Sequence, residues 1–276
     1  MANNFHRFTD KVAIITGAGN GIGLAMAHMF AAEGATVIIA EINEVAGAEA
    51  VRQITAAGGK AVAYKVDVAS EADVMAMVDR AMRELGRIDV LVNNAGVILD
   101  KSIVDCELKD WQRQMAVQLT GPFLTMKHVG RQLIAAGKGG RIVNISSVAS
   151  MMGRIKGGPH CAAKAGGNLI TKAAAMEFAP YGITVNAVAP GLVDVEIQRA
   201  EENISNEYKT AYIQSMPLGR LGLPEEIGMT VLHLASDEAS WTTGQVVLVD
   251  GGMMAGHYHL TGMHDRVLTD GHATLR

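Results

Sequence analysis

Short apolar runs alternate along the chain with longer segments whose apolar residues recur at helical spacing. Val12–Thr16 is a run without charge, and Gly21–Ala32 follows with Ile22, Ala25, Met26 and Met29 on a helical repeat. Thr36–Ala40 is a second β-rich run. Alanine-rich residues 44–57 end at Gly58-Gly59, the pattern of a helix and its stop. The alternation continues through Ala61–Val66, Glu71–Leu85 and Ile88–Val92, then through strands at Arg141–Ile145 and Thr184–Val188. Helices are expected near 107–136, from about 159 to 179, and after Pro224, with Gln245–Val249 as the last strand before Gly251-Gly252. Strands alternating with helices predict a parallel sheet covered by helices on both faces. No linker or repeat interrupts the series, so residues 1–255 read as one doubly wound α/β domain, followed by a polar tail over 256–276.

Composition narrows the class. Apolar residues make up 49% of the 276 and charged residues 19%, with 31 glycines, which suits buried strands joined by tight loops. A net charge of −4 offers no basic footprint for nucleic acid or an anionic membrane. The opening MANNFHRFTDKV lacks the apolar core of a secretory signal. Residues 12–32 carry no Lys, Arg, Asp or Glu, yet Asn20 and four glycines in their first half mark a loop rather than a membrane span. Cys106 and Cys161 show neither metal spacing nor a disulfide framework. A cytoplasmic protein with no metal site is expected.

Thr16-Gly17-Ala18-Gly19-Asn20-Gly21-Ile22-Gly23 lies between a strand and a helix. Glycines there permit a tight turn and let backbone amides approach a pyrophosphate at the helix N-terminus. With Asp67-Val68, Asn93-Asn94-Ala95-Gly96, the Ser147–Lys164 pair and Pro190-Gly191 following in order, the chain resembles the short-chain dehydrogenase/reductase family over residues 10–253. The resemblance implies a Rossmann-type fold with a seven-stranded parallel sheet in the order 3-2-1-4-5-6-7. It implies a dinucleotide held by Gly17, Asn20, Gly21, Ile22, Gly23, Asp67, Val68, Asn93, Ala95, Gly96, Lys164, Pro190, Gly191 and Val193. Glu41 ends the second strand, where an acid accepts from ribose hydroxyls and repels a 2′-phosphate. Neither Asn20 nor Ile42 supplies the cation a phosphate would want, so NAD is expected rather than NADP.

The family uses Ser, Tyr, Lys and an upstream Asn. Carried over by position, Ser147 and Lys164 are intact, the Tyr position falls on His160 and the Asn position on Gln118. Val195 stands where a Thr usually touches the nicotinamide carboxamide. His160 and Lys164 are four residues apart, hence on one helical face. An imidazole titrates near 6.5, and a neighbouring Lys164 ammonium is expected to push His160 lower, making it a proton acceptor and a poor donor. Its nitrogen ends roughly 2 Å short of a tyrosine oxygen, a large gap against hydrogen-bond tolerance. Gln118 is placed to fill part of that gap or to orient the ring.

Three readings follow: NAD-linked oxidation of a secondary alcohol (or reduction of the ketone), base chemistry without net redox such as dehydration, retro-aldol cleavage or hydrolysis, and loss of catalysis, either as an NAD-binding module or as a substituted, impaired variant. Arg154 and Lys156 lie on the expected pocket rim, where they either attract an anionic substrate or are simply solvated. Met151-Met152 and Leu192–Tyr212, with Ile197, Ile204 and Tyr208, are expected to form a lid. Trp111 and Trp241 read as packing residues, and His257, His259, His264 and His272 as surface histidines. Family members usually form tetramers, so a homotetramer is implied, with the tail 256–276 lying over a neighbouring subunit.

Overall fold

In the computed structural model, which describes residues 6–195 and 206–256, β1 (Val12–Thr16) is buried along its whole length. Ala13 and Ile15 enter one apolar cluster, Val12 and Ile14 the other. An apolar run without polar alternation fits a strand covered on both faces. β2 (Thr36–Glu41) repeats the division, with Val37 and Ile39 on one side and Ile38 and Ala40 on the other. With β3 (Lys60–Lys65), β4 (Val90–Asn93), β5 (Gly140–Ile145), β6 (Ile183–Pro190) and β7 (Val246–Val249) they form a seven-stranded sheet ordered β3-β2-β1-β4-β5-β6-β7. Every pairing is parallel, as helical crossovers require. The strand order reverses at β1, where Ile15 pairs with Ile39 on one side and Val92 on the other. Such a switch point opens a crevice at the strand C-termini.

α1 (Gly21–Ala32), α2 (Glu44–Ala56) and α8 (Pro224–Ala235) cover the Ala13/Ile15 face through Met26, Phe30, Ile54, Val231 and Leu232. α3 (Glu71–Leu85), α5 (Gly121–Ala136) and α6 (Gly158–Phe178) cover the other through Val74, Met77, Leu124, Val129 and Ala174. Burial of a side chain such as Phe30 stabilises by about 2 kcal/mol. Local chemistry sets the helix ends. Asn43 accepts from Val45 N and Ala46 N at the start of α2, Ser70 accepts from Asp73 N at the start of α3, and Gly86 closes α3 at φ 73°.

The expected helix 107–136 is instead α4 (Leu108–Met115), a π-helical turn over Ala116–Thr120, and α5. The wider turn brings Val117 and Gln118 inward together. α7 (Asn206–Ser215) occupies part of the expected lid. Trp241 does not pack in this chain: it is fully exposed, because the turn between α8 and β7 carries it outward. Among the described residues no helix is long and apolar enough to cross a membrane. Ile197, Ile204, the tail from 257 and its histidines lie outside the described residues.

Candidate active site

The β1–α1 turn leaves no room for side chains. A Cβ on Gly17 (φ +63°) would stand 2.8 Å from Ala95 Cα, and one on Gly23 only 2.2 Å from Gly17 O. Asn94 staples the loop, its Nδ2 donating to Thr16 O and Gly17 O at 3.0 Å each. Thr16 Oγ1 in turn accepts from Asn94 N and Ala95 N at 2.9 and 3.0 Å. Thr16 and Asn94 are thus site-builders beyond the residues expected from the sequence, although both lie inside the same motifs. Asn20 precedes α1 without capping it, and no acid occupies the first turn, so the helix N-terminus keeps amides for an anion. Val195 Cγ1 comes within 3.6 Å of where a Gly21 Cβ would be. Val193 bridges to Gly222, and a Cβ on Gly191 would stand 3.0 Å from Asp250 Cα. The segment after Pro190 therefore packs over the glycine loop.

Glu41 is buried, and its carboxylate accepts from Gly19 N and Asn43 N, both at 3.1 Å. Each oxygen keeps a lone pair for a further donor. Asp67 accepts from Ala69 N at 3.0 Å and pairs with Arg113 at 3.3 Å. Val68 is buried against Gly121.

Deeper in, a polar ladder crosses the sheet ends. Thr125 Oγ1 donates to Asn93 Oδ1 (2.6 Å), Asn93 Nδ2 to Asn144 Oδ1 (2.8 Å), and Asn144 Nδ2 to Thr171 Oγ1 (2.9 Å). Asn168 accepts from Ser146 Oγ at 2.6 Å and donates to Ser150 Oγ at 2.8 Å, which holds the loop that begins at Ser147. His160, Lys164, Asn168 and Thr171 are all buried residues of α6 at helical spacing. That polar stripe was readable in the sequence beyond its first two members.

His160 Nδ1 lies 2.8 Å from Gln118 Oε1. Gln118 Nε2 donates to Val97 O, as does Gln114 Nε2 at 3.0 Å. Gly96 adjoins Gln118, 3.6 Å separating Nε2 from a Cβ built there. Lys164 Nζ donates to Ile145 O at 2.5 Å. Ser147 is half-buried at the end of β5, where its Oγ accepts from Ala149 N at 3.1 Å and makes no bond to His160 among the described residues. Asn93, Gln118, Asn144, Ser146, Lys164 and Asn168 line a cavity of about 10 Å³, room for roughly one water.

Burial dominates the electrostatics. It pushes His160 down to about 3, helped by the charges of Lys164 and Arg154, so the Lys164 ammonium expected to lower it is the lesser cause. Burial likewise pushes Lys164 down to about 8. At neutral pH the centre therefore offers an uncharged imidazole, a hydroxyl and a buried ammonium, groups able to hydrogen-bond a bound alcohol oxygen. Arg154 is not simply solvated: it pairs with Asp100, and Lys101 N donates to Lys156 O at 3.0 Å, which ties the two rim loops together.

Residues 17–254 match the family model described as enoyl-(acyl carrier protein) reductase. The chain is 42% identical to a 3-oxoacyl-[acyl-carrier-protein] reductase of Synechocystis, covering 89% of this chain and 98% of the relative. It is 39% identical to the cis-4-hydroxycyclohexanecarboxylate dehydrogenase of Sinomonas cyclohexanicum, covering 90% and 98%. Among solved structures, a short-chain type dehydrogenase/reductase from Mycobacterium marinum superposes with a TM-score of 0.86 at 34% identity, over 92% of this chain and 99% of that one.

Proposed function

Because the chain belongs to the short-chain dehydrogenase/reductase family, we propose that it is an NAD-dependent oxidoreductase that oxidises a secondary alcohol with His160 as the proton acceptor. The family and the Rossmann-type sheet typically go with a nicotinamide cofactor. The residues present fit one, since a loop too tight for side chains at Gly17 and Gly23 leads into a helix whose first amides carry no side-chain cap. Gly17, Asn20, Gly21, Ile22, Gly23, Asn93, Ala95, Gly96, Lys164, Pro190, Gly191 and Val193 would hold it, with Asp67 and Val68 beside the base. When bound, the nicotinamide supplies the hydride acceptor. Glu41 supports NAD over NADP, because its buried carboxylate sits against the loop and would repel a 2′-phosphate.

The observation that carries the reading is the buried His160–Gln118 pair. An imidazole held at about 3 is neutral across the physiological range, so it has a free lone pair to accept a hydrogen bond from a substrate hydroxyl, and the same burial makes it a weak base for the proton itself. Ser147 Oγ donates to the substrate oxygen and so orients it. The Lys164 ammonium places positive charge behind the site, where it steadies developing negative charge on that oxygen. The relatives named as a hydroxycyclohexanecarboxylate dehydrogenase and an oxoacyl reductase support a small-molecule alcohol or ketone as substrate. Exposed Phe123, Leu169, Met176 and Trp241 support burial between subunits of a homotetramer.

Titration with both dinucleotides, followed by NADH formation with a panel of secondary alcohols, tests the proposal. NAD binds more tightly than NADP, and Glu41→Ala narrows the difference. Tighter NADP binding overturns the cofactor assignment; tight NAD binding without alcohol-dependent NADH overturns the redox assignment.

A further inference from the structure

We propose that Gln118 is a positioning residue that locks His160 in the Nδ1–H tautomer, which leaves Nε2 as the nitrogen that accepts the proton. The inference rests on the reading of His160 as the acceptor and adds which atom does the work and what selects it. Val97 O is a carbonyl and can only accept, so the Gln118 atom that touches it is the amide nitrogen. Turning the amide over would set two carbonyl oxygens against each other. Gln118 Oε1 is then the atom that faces His160 Nδ1 at 2.8 Å, and an amide oxygen can only accept, so Nδ1 carries the hydrogen.

No other hydrogen bond competes for the ring among the described residues. Lys164, four residues away on the same helix, spends its contact on Ile145 O. The charges bearing on His160 are Lys164 and, from the preceding loop, Arg154; both oppose a second ring proton and neither selects between tautomers. Gln118 is held in turn by the π-helical turn that aims it inward and by Val97 O, which Gln114 also engages. A shorter asparagine at position 118 could not span from Val97 O to an imidazole in the same way. The chain thus couples its two departures from the family pattern: the histidine needs an acceptor behind it, and the glutamine supplies one.

Imidazole ¹⁵N correlation spectra of the full chain test this, with the His160 signals assigned by their loss in His160→Gln. In the wild type, Nδ1 reads as protonated and Nε2 as unprotonated near neutral pH. Gln118→Leu removes the acceptor, so the spectrum shifts toward Nε2–H and kcat for alcohol oxidation falls on the order of 100-fold. Gln114→Met leaves the tautomer unchanged. Nε2–H in the wild type, or an unchanged tautomer in Gln118→Leu, overturns the proposal. The Nδ1–H signature with no alcohol-dependent NADH leaves the lock standing and refutes the redox function instead.

Discussion

Acidification from pH 7 to 5 is expected to cost the fold about 2 kcal/mol through His160 alone. The group is buried and uncharged, with its pKa lowered from 6.5 to about 3. As pH falls through 6.5 the unfolded chain takes up a proton on this residue, while the folded chain refuses it until about 3. Stability therefore declines over that window at about 1.4 kcal/mol per pH unit, and the 1.5 units from 6.5 down to 5 give the figure stated. His160→Gln carries no titrating group and keeps an amide toward Gln118, so its stability lacks this component. Urea unfolding of both proteins at pH 7 and pH 5 measures the difference. All other ionisable groups are common to the two proteins, so their contributions cancel in the comparison. The wild type should lose about 2 kcal/mol more than the variant between the two pH values. Equal losses would refute the desolvated, neutral His160 on which the chemistry depends.

Three further outcomes follow from the geometry. Gly23→Ala sets a methyl 2.2 Å from Gly17 O and 2.6 Å from Asn94 Nδ2, so the loop must shift; calorimetry should find dinucleotide affinity reduced on the order of 100-fold and stability lowered by about 2 kcal/mol. Thr125→Val strips Asn93 Oδ1 of its donor inside the sheet, and urea unfolding should register a loss of about 1–3 kcal/mol. The pH–rate profile for alcohol oxidation should stay flat between pH 5 and 7 and break near 8, where Lys164 titrates; a limb centred near 6.5 would mean His160 is solvated.

Local signals carried most of the fold. The run Val12–Thr16 and the helices Gly21–Ala32 and Glu71–Leu85 have the same bounds in sequence and structure, because uninterrupted apolar strands, Ser70 and Gly86 are local marks. The glycine loop was equally plain, since φ > 0 and close approach leave glycine little competition. What the sequence hid was long-range. Nothing near residue 118 announces a π-helical turn, and the contact between Gln118 and His160 joins residues 42 apart. The cause of the histidine shift was misjudged for the same reason. A neighbouring lysine is visible four residues along the helix, whereas burial is set by segments distant in sequence, Gln118 among them. Trp241 failed in the opposite direction: an aromatic residue suggests a core, and this chain leaves it in the open.

Hydride transfer itself is the most direct test of the central claim that this chain oxidises alcohols with NAD through His160. A secondary alcohol bearing deuterium on its carbinol carbon is incubated with NAD and enzyme, and the nicotinamide product is analysed by mass and by proton NMR. Deuterium should appear on the nicotinamide ring with the wild type. It should be absent with His160→Phe at NAD concentrations where both proteins are saturated. Deuterium transfer by His160→Phe at the wild-type rate, or none by the wild type with any alcohol tested, would contradict the account.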